Sequence, residues 1–161
     1  MIRALLGAWA LAIAAPLMAQ NPPAPAPAGS LIGPALHVGD LQRALRFYVD
    51  GMGMKIGIQM GPPERQETIL TFGGDPSSPG IILLADTRPG AHPAIEHGHG
   101  YDRTVLRMAD LDAASARLAA AGFVPGAIRD VAKGYRMMIV TDGDGYRYEL
   151  VERRPAPRAQ P

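Results

Sequence analysis

The chain has 161 residues with 16 basic and 15 acidic side chains, a formal net charge of +1, and no cysteine. That length allows one ordinary domain or two small modules sharing a core. The near-neutral balance, with no basic run interleaved with aromatics, excludes a nucleic-acid surface, and the lack of cysteine excludes disulfides, a thiol nucleophile and a lipidated cysteine anchor.

At the start, Arg3 precedes the apolar run Ala4 to Leu17. This run is long enough for a signal-peptide core and shorter than the ~20 residues that span a bilayer. Ala19 supplies the small residue before a cleavage point, with Gln20 as the expected mature start. Residues 1–19 therefore read as a signal peptide, and the protein as exported to the periplasm or secreted, with no stable membrane insertion after cleavage. Residues 20–30 read as a Pro/Ala-rich linker, because proline removes donors and favours extended polyproline conformation. The domain is expected over 31–154, followed by a disordered tail over 155–161.

Within the domain, a short strand Ala35–Val38 runs into Gly39-Asp40-Leu41 and a helix with Leu41, Leu45 and Tyr48 at helical spacing. Asp40 is the natural N-cap, and Gly51 and Gly53 end the helix. Strands follow at Lys55–Met60, Thr68–Phe72 and Ile81–Ala85, separated by Gly/Pro turns. After the histidine-rich segment 92–102, Asp110 opens a second helix that ends at Gly122, and strands are predicted at Val124–Asp130, Arg136–Thr141 and Tyr146–Glu152. Each half is thus strand, helix, then three strands. The repeat offset, roughly seventy residues between the two Asp caps, is too long for a solenoid and fits two packed modules.

The final strand follows Asp142-Gly143-Asp144-Gly145, a strong turn signal. Its alternation sets Tyr146, Tyr148 and Leu150 on one face and Arg147, Glu149 and Val151 on the other. An inward carboxylate at Glu149 needs a cation, a metal or solvent as partner. No G-x-S-x-G elbow, phosphate loop or dinucleotide fingerprint is present.

D-L-Q-R-A-L-R-F-Y-V-D-G-M-G-M-K (Asp40–Lys55), Y-D-R-T-V-L-R-M-A-D-L-D-A with the later A-A-A-G-F, and D-G-D-G-Y-R-Y-E-L-V-E resemble, in that order, the motifs of the vicinal oxygen chelate (VOC) superfamily. That group includes glyoxalase I, bleomycin resistance proteins and extradiol dioxygenases. The resemblance covers about Leu31 to Arg154 and implies an α+β fold: two βαβββ modules, about 31–88 and 101–154, forming one open, cavity-containing curved sheet. Metal-dependent members place ligands in the opening and last strand of each module. Matched to those points, this chain reads Gly33, Leu83, Arg103 and Glu149, of which Glu149 alone is a ligand type.

Two functions follow from the resemblance. In the first, the inherited metal site is largely lost and the cavity binds a small polar or anionic molecule without a cofactor. Arg103 then pairs with Glu149, His37 assists, and Arg107, Arg147 and Leu83 line the wall. In the second, the protein is a metal-dependent lyase, isomerase or dioxygenase-like enzyme whose ligands have shifted to His37, His99 and Glu149, with Arg103 orienting an oxyanion. His92, His97 and Glu96 share the segment that carries His99. The expected partners are a small molecule and, for the chain itself, either no other copy or one more.

Overall fold

The computed structural model describes residues 28–91, 94–131 and 134–154. Residues 1–27, where a signal peptide and the start of a linker are expected, His92, and residues 155–161, expected as a tail, lie outside the described residues.

The first module runs β1 (Ala35–Val38), α1 (Leu41–Leu45), β2 (Lys55–Met60), β3 (Arg65–Thr71) and β4 (Gly80–Asp86). The second repeats it as β5 (Thr104–Arg107), α2 (Leu111–Ala120), β6 (Arg129–Val131), β7 (Tyr135–Thr141) and β8 (Arg147–Arg153). Each module folds into its own four-stranded sheet, ordered β1-β4-β3-β2 and β5-β8-β7-β6. In both, the opening strand lies parallel to the last one, and the other pairs are antiparallel.

Local chemistry explains the matching entries. The Asp40 carboxylate accepts the backbone N–H of Arg43 at 3.0 Å, and that of Asp110 accepts the N–H of Ala113 at 2.9 Å. Each thus satisfies an orphan donor of the first helical turn. Past Leu45, α1 widens into a π-helical stretch, Arg46–Gly51, with the N–H of Met52 donating to the Phe47 carbonyl at 2.8 Å. Phe47 and Tyr48, adjacent in this stretch, are both wholly buried. Gly51 permits the helices to touch, since a Cβ there would stand 2.8 Å from Leu118 Cδ2.

The two sheets share a single core. Leu70 and Leu83 from the first, Tyr148 and Leu150 from the second, and Phe47 and Leu118 from the helices belong to one buried cluster. Beside it, the N-terminal end of α2 is held by charged side chains. Glu152 Oε2 accepts the Leu111 N–H at 2.7 Å and a bond from Arg136 Nη2 at 2.7 Å, while the same nitrogen donates to Asp112 at 2.8 Å.

Two strand boundaries differ from the alternation reading. β3 begins at Arg65 rather than Thr68, because Arg65, Gln66 and Glu67 ladder onto Asp86, Ala85 and Leu84 of β4. The segment from Val124 pairs regularly only over Arg129–Val131. Ahead of that, the N–H of Gly126 reaches the Ile139 carbonyl at 2.9 Å, and Val124 is 88% exposed. β2 carries a register shift between Ile56 and Ile58, which turns Ile58 and Met60 to the side of the sheet away from the helices.

Candidate functional site

The side of each sheet that faces away from the helices carries the chemistry. On the first sheet, His37 pairs with Leu84 across the parallel ladder, Leu84 with Glu67, and Glu67 with Met60, so these four side chains form one row. This face holds a cleft of about 370 Å³ lined by His37, Met60, Pro62, Arg65, Glu67 and Leu84. Leu83, expected on this wall, points the other way: it is wholly buried in the helix-side core. Alternation leaves Ile82 and Leu84 for the open face.

On the second sheet, Val105 pairs with Glu149 and Glu149 with Ile139. Arg103 Nε donates to Glu149 Oε2 at 2.6 Å, and Arg103 Nη1 also bonds Asp102. Asp102 in turn accepts from Arg147 Nη1 at 3.1 Å. Arg147–Asp102–Arg103–Glu149 is therefore one chain of alternating charge, and Asp102 is the member that alternation alone did not bring forward. The Glu149 hydrogen bond and then the Asp102 charge hold Arg103 more firmly protonated than a free guanidinium. Arg107 stands apart from this network. It lines a cleft of about 530 Å³ with Met52, Phe72 and Arg117, so it does not add charge beside Arg103.

The closing turn ties the modules together. Tyr48 OH donates to Asp142 Oδ2 at 2.5 Å and lies 2.7 Å from Tyr148 OH, all three groups being buried. Asp142 Oδ1 accepts the N–H groups of Asp144 and Tyr146 at 2.9 and 2.8 Å. Burial pushes Asp142 above the ordinary carboxylate value, with the Tyr48 bond acting against it, and pushes the Tyr48 and Tyr148 phenols up as well. Asp144 Oδ1 accepts from Arg43 Nη2 at 2.6 Å and from the Gly39 N–H at 3.2 Å. The inter-module segment docks on the same turn through His97, whose Nε2 sits 2.8 Å from the Asp144 carbonyl oxygen and whose ring stands edge-on to Tyr146 at 4.8 Å. Tyr146 packs partly against the core that holds Tyr148, and its half-buried ring also lines a cleft with His37, Ile95 and Glu96.

The shifted triad is not assembled. Among the described residues, no group of three His, Asp or Glu side chains comes within reach of one ion. His37 faces the first sheet's cleft, Glu149 is committed to Arg103, and His99, on an exposed loop, lines none of the main clefts.

At the positions that the resemblance assigns to metal ligands, the residues present do not fit a divalent ion either. At Gly33, with φ of 149°, an added Cβ would lie 1.8 Å from the Gly80 carbonyl oxygen, so close backbone approach closes the site to any side chain. Ile82 is the ladder equivalent of Glu149, since Ala35 pairs with it as Val105 pairs with Glu149. Gly33, Ile82, a guanidinium at Arg103 and a paired Glu149 do not make a cation's donor set.

Two βαβββ modules, each a four-stranded sheet with its helix on one side, define an α+β fold. The chain belongs to the Glyoxalase/Bleomycin resistance protein/Dioxygenase superfamily, whose model matches residues 31–150. It is 28% identical over 130 residues to a lactoylglutathione lyase of Salmonella typhimurium, covering 80% of this chain and 96% of that protein. It spans only 43% of the length of a putative lactoylglutathione lyase of Brassica oleracea, at 27% identity over 74% of this chain. Among solved structures, the trypanothione-dependent glyoxalase I of Leishmania major aligns with a TM-score of 0.63 at 23% identity, covering 77% of this chain and 86% of that one. TnmS3, an antibiotic binding protein from Streptomyces sp. CB03234, aligns with a TM-score of 0.53 at 22% identity, covering 78% and 97%.

Proposed function

We propose that this chain is an exported binder of a small polar or anionic molecule, in which an ion pair has taken the place of the family's metal. The observation that carries this reading is the 2.6 Å bond from Arg103 Nε to Glu149 Oε2. By the family resemblance, those two residues fall at points where metal-dependent members are expected to place ligands. A guanidinium there keeps the Glu149 charge compensated and presents its remaining donors to a ligand oxygen. Arg147 extends the same donor surface through Asp102.

The His37–Glu67 row and the Arg103–Glu149 pair lie on faces turned away from the shared core, and none of the main clefts joins them. A second copy of the chain is the fitting source of the missing wall, one copy's first sheet covering the other's second sheet. Exposed Met60 and Ile58 on one face and Val105 on the other supply apolar surface for that closure.

Metal analysis of the purified protein, with thermal shift against zinc and nickel, tests the ion-pair reading. The expected result is substoichiometric metal and no stabilisation by either ion. Glu149→Gln is expected to destabilise, and Arg103→Gln added to it to recover part of the loss. Stoichiometric, tightly held metal that Glu149→Gln abolishes would sink the reading and favour a metal-dependent lyase or isomerase.

A further inference from the structure

We infer that the cleft on the first sheet is a binding site for a small zwitterion with an apolar side group, of the α-amino-acid class. Two opposite charges stand there on one face of β3, and Asp86, opposite Arg65 on β4, also lines the cleft but is held by Arg88. Arg65 and Glu67 are separated by a single residue of β3, so their Cα atoms lie about 7 Å apart. Neither side chain makes an ion pair or hydrogen bond with another described residue. Glu67 is half-buried, and no described side chain pairs with its carboxylate.

The rest of the cleft completes the ligand's outline. Leu84 forms the floor beside Glu67, Met60 and Pro62 form one wall, and His37 stands about 10 Å from Glu67 on the far side of Leu84. A volume of about 370 Å³ holds a molecule of ten or so heavy atoms. An ammonium group on Glu67, a carboxylate on Arg65 and an aliphatic or aromatic group on Leu84 and Met60 would meet both charged side chains that lack a described partner. His37, with both ring nitrogens free of described side chains, offers the orienting hydrogen bond from the opposite wall. The site lies on the first-sheet wall that a second copy's Arg103–Glu149 face would cover, but its test reads Arg65 and Glu67 alone, so its failure is distinguishable from failure of the ion-pair reading.

Isothermal titration of the purified chain with L-leucine, L-methionine and L-phenylalanine tests this. Leucinamide, which lacks the carboxylate, and 4-methylpentanoate, which lacks the ammonium, serve as comparisons. Saturable binding of at least one amino acid is expected, at least tenfold tighter than either of the two comparison compounds. Glu67→Gln should erase the advantage over 4-methylpentanoate, and Arg65→Gln the advantage over leucinamide. Arg65 is exposed, so its variant keeps the test alive even if Glu67→Gln fails to fold. No saturable heat with any of the three amino acids at millimolar concentration overturns the proposal. So does binding that neither substitution weakens, or binding of leucinamide as tight as that of L-leucine.

Discussion

At the scale of single residues, the Tyr48 hydroxyl has the most to lose. It lies between Asp142 and Tyr148 inside the core, where an unmade hydrogen bond costs more than in water. Tyr48→Phe should destabilise by about 1–3 kcal/mol in urea denaturation, because Asp142 Oδ2 loses the one buried donor it has. The same carboxylate makes stability depend on pH. Burial raises Asp142 above its ordinary value of 3.8, so the stability it contributes is complete below that value and is lost as pH rises through the folded one. Asp142→Asn cannot titrate and keeps an acceptor for the Asp144 and Tyr146 amides. Measured against that variant from roughly pH 3 to 7, the wild type should lose stability as pH rises and then level off. A gain over the same range would show that Asp142 is ionised more easily in the fold than out of it.

At the scale of elements, the opening and closing strands explain what the sequence made legible. Ala35–Val38, Lys55–Met60, both Asp caps and the two faces of β8 follow from alternation and capping alone, and each is found where that chemistry puts it. Arg65 and Glu67 were hidden because they follow a Gly-Pro-Pro turn and are polar, so the apolar run starting at Thr68 marked the strand too late. Leu83 was misplaced because a run of Ile81, Ile82, Leu83 and Leu84 carries no alternation, and only the ladder decides which of them faces the helices. The π-helical stretch had no signal in the helical spacing at all. Gly33 gives the element-scale prediction. Gly33→Ala places a methyl group on the Gly80 carbonyl and a side chain in a glycine-only backbone region, itself worth about 1–3 kcal/mol. Its melting temperature should fall well below that of Ala35→Gly in the same strand. Gly33→His should likewise lose stability without gaining affinity for zinc.

At the scale of the whole molecule, both sheets turn a face away from one shared core. The proposed second copy predicts a dimer by analytical ultracentrifugation at micromolar concentration. Val105→Lys, on the exposed second-sheet face, should shift it to monomer while leaving the far-ultraviolet dichroism unchanged. A wild type that sediments as a monomer at tens of micromolar would remove the second copy from the proposed site. The ion pair and the first-sheet cleft would remain, since the residues of each come from one chain.

The closing turn also sets an order in time. Gly39, Arg43 and Tyr48 bind partners that lie 94 to 105 residues further along the chain. A ribosome releases the first module long before Asp142 and Asp144 exist outside its tunnel. Until then the Tyr48 hydroxyl lacks its acceptor and Phe47 lacks the ring of Tyr148 beside it. The first module is therefore expected to wait in a loosely packed form and to lock only when the last strand arrives, so that truncation before residue 142 leaves a chain vulnerable to protease over its whole length.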